Sequence, residues 1–248
     1  MTSDYVFPRT PDLAEIYNSS VWNGDYSEAS LVRAPAGERS GILTRAQQMM
    51  TGSGSTRSIM RGVRVYIDFL CADMPAPADT EPPTASVILD THSGREVVEN
   101  LTELQGTSCF GCHKGIINPL GFPFESFDPL GRFRVSENIY HPEASSDRGD
   151  ILTIKRVNTQ TDVRLGPSSI DSQISDSIDL TNNLATSERA IACFNNKLWS
   201  FATKQAYHIG QNDCAVGSLY QEMVFSKSIK QTLKAIPLQP EFFQRRLQ

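Results

Sequence analysis

The sequence predicts a mainly α fold: a helical domain with one small β-hairpin, followed by a helical C-terminal domain. Three observations predict it. Apolar residues recur at helical spacing over 56–71 and again over 187–205. Two short β-rich runs, Ile151-Leu152-Thr153-Ile154 and Thr161-Asp162-Val163-Arg164-Leu165, flank Asn158-Thr159-Gln160 in the manner of a hairpin. Finally, Cys109-Phe110-Gly111-Cys112-His113 sets two thiols and an imidazole at i, i+3 and i+4, one face of a helical turn.

Taken in order, Thr10-Pro11-Asp12 opens a first helix with a hydroxyl cap, a proline and an acid, and Leu13, Ile16 and Tyr17 form its apolar face. Residues 18–40 read as irregular. Gly41 to Met50 reads as a second short helix, stopped by Thr51-Gly52-Ser53-Gly54-Ser55. From Thr56 to Cys71 the expected buried stripe is Met60, Val63, Ile67 and Leu70, with Arg57, Arg61, Arg64 and Asp68 off it. Met74-Pro75-Ala76-Pro77 and Pro82-Pro83 mark an extended linker. Val97, Val98, Leu101 and Leu104 suggest another helix, leading through Gly106 to the cysteine pair.

The stretch 117–134 carries three prolines and two glycines, which argues against a continuous helix, and four phenylalanines at 122, 124, 127 and 133. Residues 135–179 read as turns and short strands. Ser187 to Gln205 is a strong helix with Ile191, Phe194, Leu198 and Phe201 as its stripe. Helices over 215–224 and from Ile229 to Ile236, the latter stopped by Pro237, complete the chain before a short amphipathic tail.

The charge balance excludes one class of function. Twenty-three Lys and Arg against 28 Asp and Glu give a net charge of −5, not the basic face of a nucleic-acid binder. No run approaches the roughly 18 apolar residues of a membrane span.

The cysteine pair carries the chemistry. C-x-x-C-H is the attachment pattern of a c-type haem: each sulfur adds to a porphyrin vinyl group and the histidine ligates the iron from below. A half zinc site would want a second ligand pair, and no other C-x-x-C or H-x-x-x-H occurs. A thioredoxin-type pair would lie in a βαβ unit, a pattern that is missing. The expectation is one covalent haem c per chain, held by Cys109 and Cys112 with His113 on the iron, in a cytochrome c-like haem domain. Phe122 is expected to wall the porphyrin, and Arg132 and Arg134 to meet its propionates or else to be surface arginines. Pro119 is expected to lend its carbonyl to the His113 Nδ1–H. Glu125 and Asp128 are read as ordering the loop and capping a turn rather than as acid–base catalysts.

From Cys109 to Arg134 the sequence resembles the C-terminal part of the large planctomycete-type cytochrome c family, whose domains are of unknown function. The resemblance rests on Cys109, Cys112, His113, Asn118-Pro119-Leu120-Gly121-Phe122, Glu125, Phe127-Asp128 and Gly131-Arg132-Phe133-Arg134. Arg39-Ser40-Gly41-Ile42-Leu43-Thr44, Ile59-Met60-Arg61-Gly62 and Cys193 to Tyr207 are similar too. Members of that family are usually longer, which implies that this chain is a C-terminal portion. The resemblance also suggests a sixth iron ligand at Met60, where look-alikes can carry histidine; the competing reading is a core methionine. His92, His141 and His208 read as surface residues.

The expected organisation is a lead-in over 1–40, the haem domain over 41–134, turns and a hairpin over 135–180, and a helical domain over 181–248. The expected function is single-electron transfer, to or from a redox partner protein or further domains of a larger complex. A catalytic, peroxidase-like haem with an open sixth position is one alternative. A haem-stabilised docking subunit using Lys227, Lys230, Lys234, Arg245 and Arg246 is the other. Thioether attachment implies the periplasm or cell surface. Met1-Thr2-Ser3-Asp4 shows no signal peptide, so the export signal is expected to have been removed. Outside the cytoplasm, Cys193 and Cys214 are expected to bridge two helices, two free thiols being the alternative, with Cys71 left over.

Overall fold

A computed structural model describes residues 2–74, 90–141, 149–166, 171–204 and 213–243. The Pro-rich linker expected after Met74 and His208 lie outside the described residues. Among the described residues the fold is mainly α, with three separate two-stranded antiparallel sheets.

β1 (Tyr5–Val6) pairs with β2 (Val32–Arg33) beside α1 (Pro11–Ile16). As expected, Thr10 caps α1, its hydroxyl accepting from the Leu13 N–H at 3.3 Å. The second helix is shorter than expected. Residues 41–44 form turns, and only α2 (Ala46–Met49) is helical.

α3 (Ser58–Arg64) continues into a π-helical turn, Val65–Phe69. This corrects the expected stripe. Met60 and Ile67 are exposed, whereas Arg61, Gly62, Val65 and Leu70 are buried. Two causes combine. The π turn resets the helical phase after Arg64, and Arg61 repays its burial by donating to four backbone carbonyls. Phe124 O (2.7 Å), Phe127 O and Asp128 O (both 2.9 Å) take three of these bonds and Met49 O the fourth. Desolvation lowers the Arg61 pKa to about 10, leaving it charged at neutral pH.

α4 (Gly94–Thr102) begins with a capping box between Ser93 and Glu96. α5 (Ser108–Cys112), a π turn at His113–Ile117, α6 (Asn118–Gly121) and a 3-10 turn at Phe122–Ser126 then follow without interruption. Pro119 and Pro123 therefore lie within a helical path, while Pro129 sits in the turn beyond it. The widened π turn precedes Pro119 at the point where an α-helix would set its ring against the carbonyl four residues back.

The β-runs at 151 and 161 do form strands, but not with each other. β3 (Ser136–Tyr140) pairs with β4 (Ile151–Arg156), and β5 (Thr161–Val163) with β6 (Ser172–Ile174). α7 (Ser177–Thr186), capped by Asp176, was not expected. α8 (Glu188–Thr203) starts at Ser187 as read, but buries Ala190, Cys193 and Trp199 and leaves Phe201 72% exposed. α9 (Asp213–Ser226) and α10 (Ile229–Ala235) close the fold.

The main core joins Leu43, Val65 and Leu70 to Leu120, Phe124 and Phe127, and these to Val163, Ile174, Leu180 and Leu184. It thus draws on residues from 43 to 190. A second cluster gathers Trp199, Leu219 and Ile236.

The disulfide is Cys71–Cys193, not Cys193–Cys214. Cys193 faces inward on α8, where the chain leaving the π turn delivers Cys71, while Cys214 is an exposed free thiol. Two bonds flank the bridge: Arg189 Nε donates to Leu70 O at 3.0 Å, and Lys197 pairs with Asp68 at 2.9 Å.

Candidate functional site: a dithiol and its histidine

Cys109 and Cys112 lie three positions apart on α5, and His113 follows one turn after Cys109. Both thiols are free and half-buried. His113 is held from behind by Asn118, a fully buried residue. The Asn118 amide nitrogen donates to Thr102 Oγ1 at 3.0 Å and to Glu103 Oε1 at 2.9 Å. A carboxylate can only accept, so the amide orientation is fixed and Oδ1 must face His113. It lies 3.3 Å from the imidazole Nδ1. Nδ1 therefore carries the proton, and the Nε2 lone pair points away from this network. Lys114 completes the set by pairing with Glu103 at 2.6 Å.

α4 supplies Thr102, and Glu103 follows directly after it. The π turn bends His113 back towards the Asn118 that opens α6. Sequence reading quoted Asn118 within a motif but gave it no role, and missed Thr102, Glu103 and Lys114. The signal available was an asparagine five residues beyond the histidine, inside an apolar run.

The other residues expected around a haem do not converge here. Phe122 is 2% exposed and packed under the Arg95 guanidinium, 4.2 Å from its ring centroid. Pro119 is buried within α6. The Asn118 side chain, rather than a proline carbonyl, meets the histidine. Arg132 is bound to Asp128 at 2.7 Å. Arg134 reaches Glu125 at 3.3 Å and Glu137 at 3.6 Å. Glu125 is buried, and that burial raises its pKa against the pull of Arg134. Asp128 caps its turn as read, accepting from the Leu130 and Arg132 N–H groups at 2.9 Å. Met60 lines a mainly apolar groove of about 610 Å³ with Ile59, Val97, Val98 and Tyr140.

Among the described residues, no group of three or more His, Cys, Asp or Glu is placed to hold a metal ion. The sulfurs brought within bonding distance are those of Cys71 and Cys193, far apart in sequence. The expectation of an iron-binding haem c is corrected accordingly. The roles built on it fall with it: cytochrome electron transfer, a peroxidase-like centre and a haem-stabilised docking subunit. Two free thiols and an oriented imidazole are what the site holds.

The chain is similar over residues 39–137 to a family model described as PSCyt3, a protein of unknown function (DUF1588). That span contains the dithiol, His113 and Asn118. No curated protein matches the chain, and no solved structure does. Among the described residues no helix is long and apolar enough to cross a membrane.

Proposed function

We propose that Cys109 and Cys112 are a redox-active dithiol through which the protein exchanges thiols and disulfides with a partner protein. The observation that carries this reading is the fixed His113 tautomer beside two unbonded thiols. An imidazole protonated on Nδ1 keeps Nε2 as a base, and a thiolate rather than a thiol is the attacking species. His113 lies four positions from Cys109, so it serves that sulfur. A βαβ frame is not required for this chemistry; thiolate formation and access are.

The exchange balances in two steps. The Cys109 thiol gives its proton to His113 and attacks one sulfur of the partner's disulfide, and the other sulfur leaves as a thiolate. That thiolate takes the proton back from His113. The Cys112 thiol then gives its own proton to the freed imidazole and attacks Cys109, closing an internal disulfide, and the partner's second sulfur leaves as a thiolate that takes up this proton. Two electrons and two protons pass to the partner, and the reverse sequence oxidises it.

The setting proposed is the periplasm or cell surface, a reading that the Cys71–Cys193 bond supports. The planctomycete-type resemblance stays in this reading for its exported, multidomain context alone. The partner is then a separate protein or a further domain of a larger assembly.

The test is thiol counting by peptide mass spectrometry on exported protein, alkylated after equilibration in glutathione buffers of graded poise. Cys109 and Cys112 should convert together in one two-electron transition. Cys112→Ser should accumulate a mixed disulfide through Cys109, and Cys109→Ser should not. The reading fails if both thiols stay reduced at every poise. It fails equally if they resist alkylation after full reduction because their sulfurs are bonded to carbon.

A further inference from the structure

The C-terminal end of the protein leaves large apolar side chains in water. Phe225 is 89% exposed, Leu238 77% and Phe243 73%. The geometry of α10 shows how the pattern extends. Thr232 and Ile236 face inward against α9 and Trp199. Ile229 and Leu233, four apart, form an exposed apolar strip beside them, and Lys230 and Lys234 line the outer flank of that strip. Lys227 sits at the turn between the two helices, with φ at 51°. Among the described residues none of these three lysines forms an ion pair. The chain as a whole carries −5, yet from Val224 to Phe243 three lysines face a single acid, Glu241.

We propose that this end of the protein docks on an anionic bilayer surface. Protruding phenylalanine and leucine side chains suit the boundary between headgroups and acyl chains. The lysine stems run along that apolar layer while their ammonium groups meet lipid phosphates. Charge complementarity selects this occupant. A second copy of the chain would bring the same unpaired lysines against each other, which disfavours a two-fold dimer through this face. The rest of the chain carries a net negative charge, which favours an approach through this end.

The test is co-sedimentation of the full chain with phosphatidylglycerol-rich vesicles and with pure phosphatidylcholine vesicles. Binding is expected to the former alone and to weaken as salt is added. Lys230→Gln with Lys234→Gln should weaken binding by roughly 25-fold, about fivefold for each charge removed. Phe225→Ser with Phe243→Ser should weaken it without lowering the melting temperature, because both side chains already lie in water. Failure to bind anionic vesicles overturns the proposal, as does equal binding to neutral ones. It is also overturned by a dimer in light scattering that these substitutions dissolve, or by variants that lose an acidic protein partner while keeping wild-type vesicle binding.

Discussion

Gly62 and Gly121 lie backbone to backbone where α3 crosses α6. A Cβ on Gly62 would collide with the Ile117 carbonyl and come within 3.1 Å of the Gly121 nitrogen. A Cβ on Gly121 would collide with the Ser58 carbonyl and come within 3.2 Å of the Gly62 nitrogen. The atoms in the way are backbone, which cannot rotate aside. Gly121→Ala should therefore cost about 3 kcal/mol by overpacking, lowering the melting temperature by roughly 6–12 °C. Gly115→Ala, where a Cβ would meet nothing within 4 Å, is the control and should shift stability by under about 1 kcal/mol. Equal effects of the two substitutions in thermal melts would show that the crossing is loose.

Arg61 ties the two sides of that crossing to the loop beyond. It is 2% exposed and serves the carbonyls of Met49, Phe124, Phe127 and Asp128. Arg61→Met fills much of the volume but strands all four acceptors, at an expected cost of about 3–5 kcal/mol in urea titration. Arg61→Lys keeps the charge without the planar fork and should recover only part of that loss.

The Cys71–Cys193 bond closes 122 residues of chain. Chain entropy assigns such a loop ~5 kcal/mol. Cys71→Ser with Cys193→Ser should lower stability by that order, and reductant should lower the wild type equally. Cys214→Ser should leave both the stability and the non-reducing gel mobility unchanged.

What the sequence reveals here is local. Thr10 before Pro11, Ser187 before Glu188 and the Val97–Leu101 spacing each announce a helix through contacts within one or two turns. The errors arise where distant partners decide. Arg61 looks like a solvent residue until four carbonyls from elsewhere surround it. Met60 gives way because the buried Arg61 beside it turns α3 the other way, and Ile67, at core spacing, is rotated out by the π turn after Arg64. β4 and β5 adjoin in sequence, yet each pairs with a strand outside the expected hairpin. α7 went unread because the Thr and Asn residues within it are weak helix formers. At the dithiol, spacing singled out Cys109, Cys112 and His113 but assigned them to a haem rather than to a thiol pair. Glu103 and Asn118 were not legible, because their meeting depends on how α4 packs against α6.

Glu96 links α4 to the β3–β4 sheet and makes stability depend on pH. Burial raises its pKa, but Lys155 at 2.6 Å and the Ser93 backbone and hydroxyl outweigh that and hold it at about 2. The folded value lies below the ordinary 4.5, so the folded state binds this proton less readily than the unfolded chain. The stabilisation is present above pH 4.5 and is lost as the pH falls from there to about 2. Because the side chain is 41% exposed, solvent screening keeps the effect near 1 kcal/mol or less. Acid titration of stability should fall more steeply for wild type than for Glu96→Gln across that window, and parallel curves would remove Glu96 as the cause.

The Glu103–Asn118–His113 chain makes a kinetic prediction that separates positioning from structure. Asn118→Leu replaces an oriented acceptor with an apolar group of similar size, so the imidazole loses what fixes its proton on Nδ1. The alkylation rate of Cys109 at neutral pH should then drop by about tenfold, the low end of what removing an orienting partner from a functional histidine costs. His113→Gln should drop it at least as far, because it removes the base itself. Cys214, exposed and remote in sequence, reports any general change in thiol reactivity and should be unaffected by either substitution. A merely structural Asn118 would lower the melting temperature but leave the alkylation rate of Cys109 in the folded protein unchanged, and that outcome would remove the histidine from the thiol chemistry.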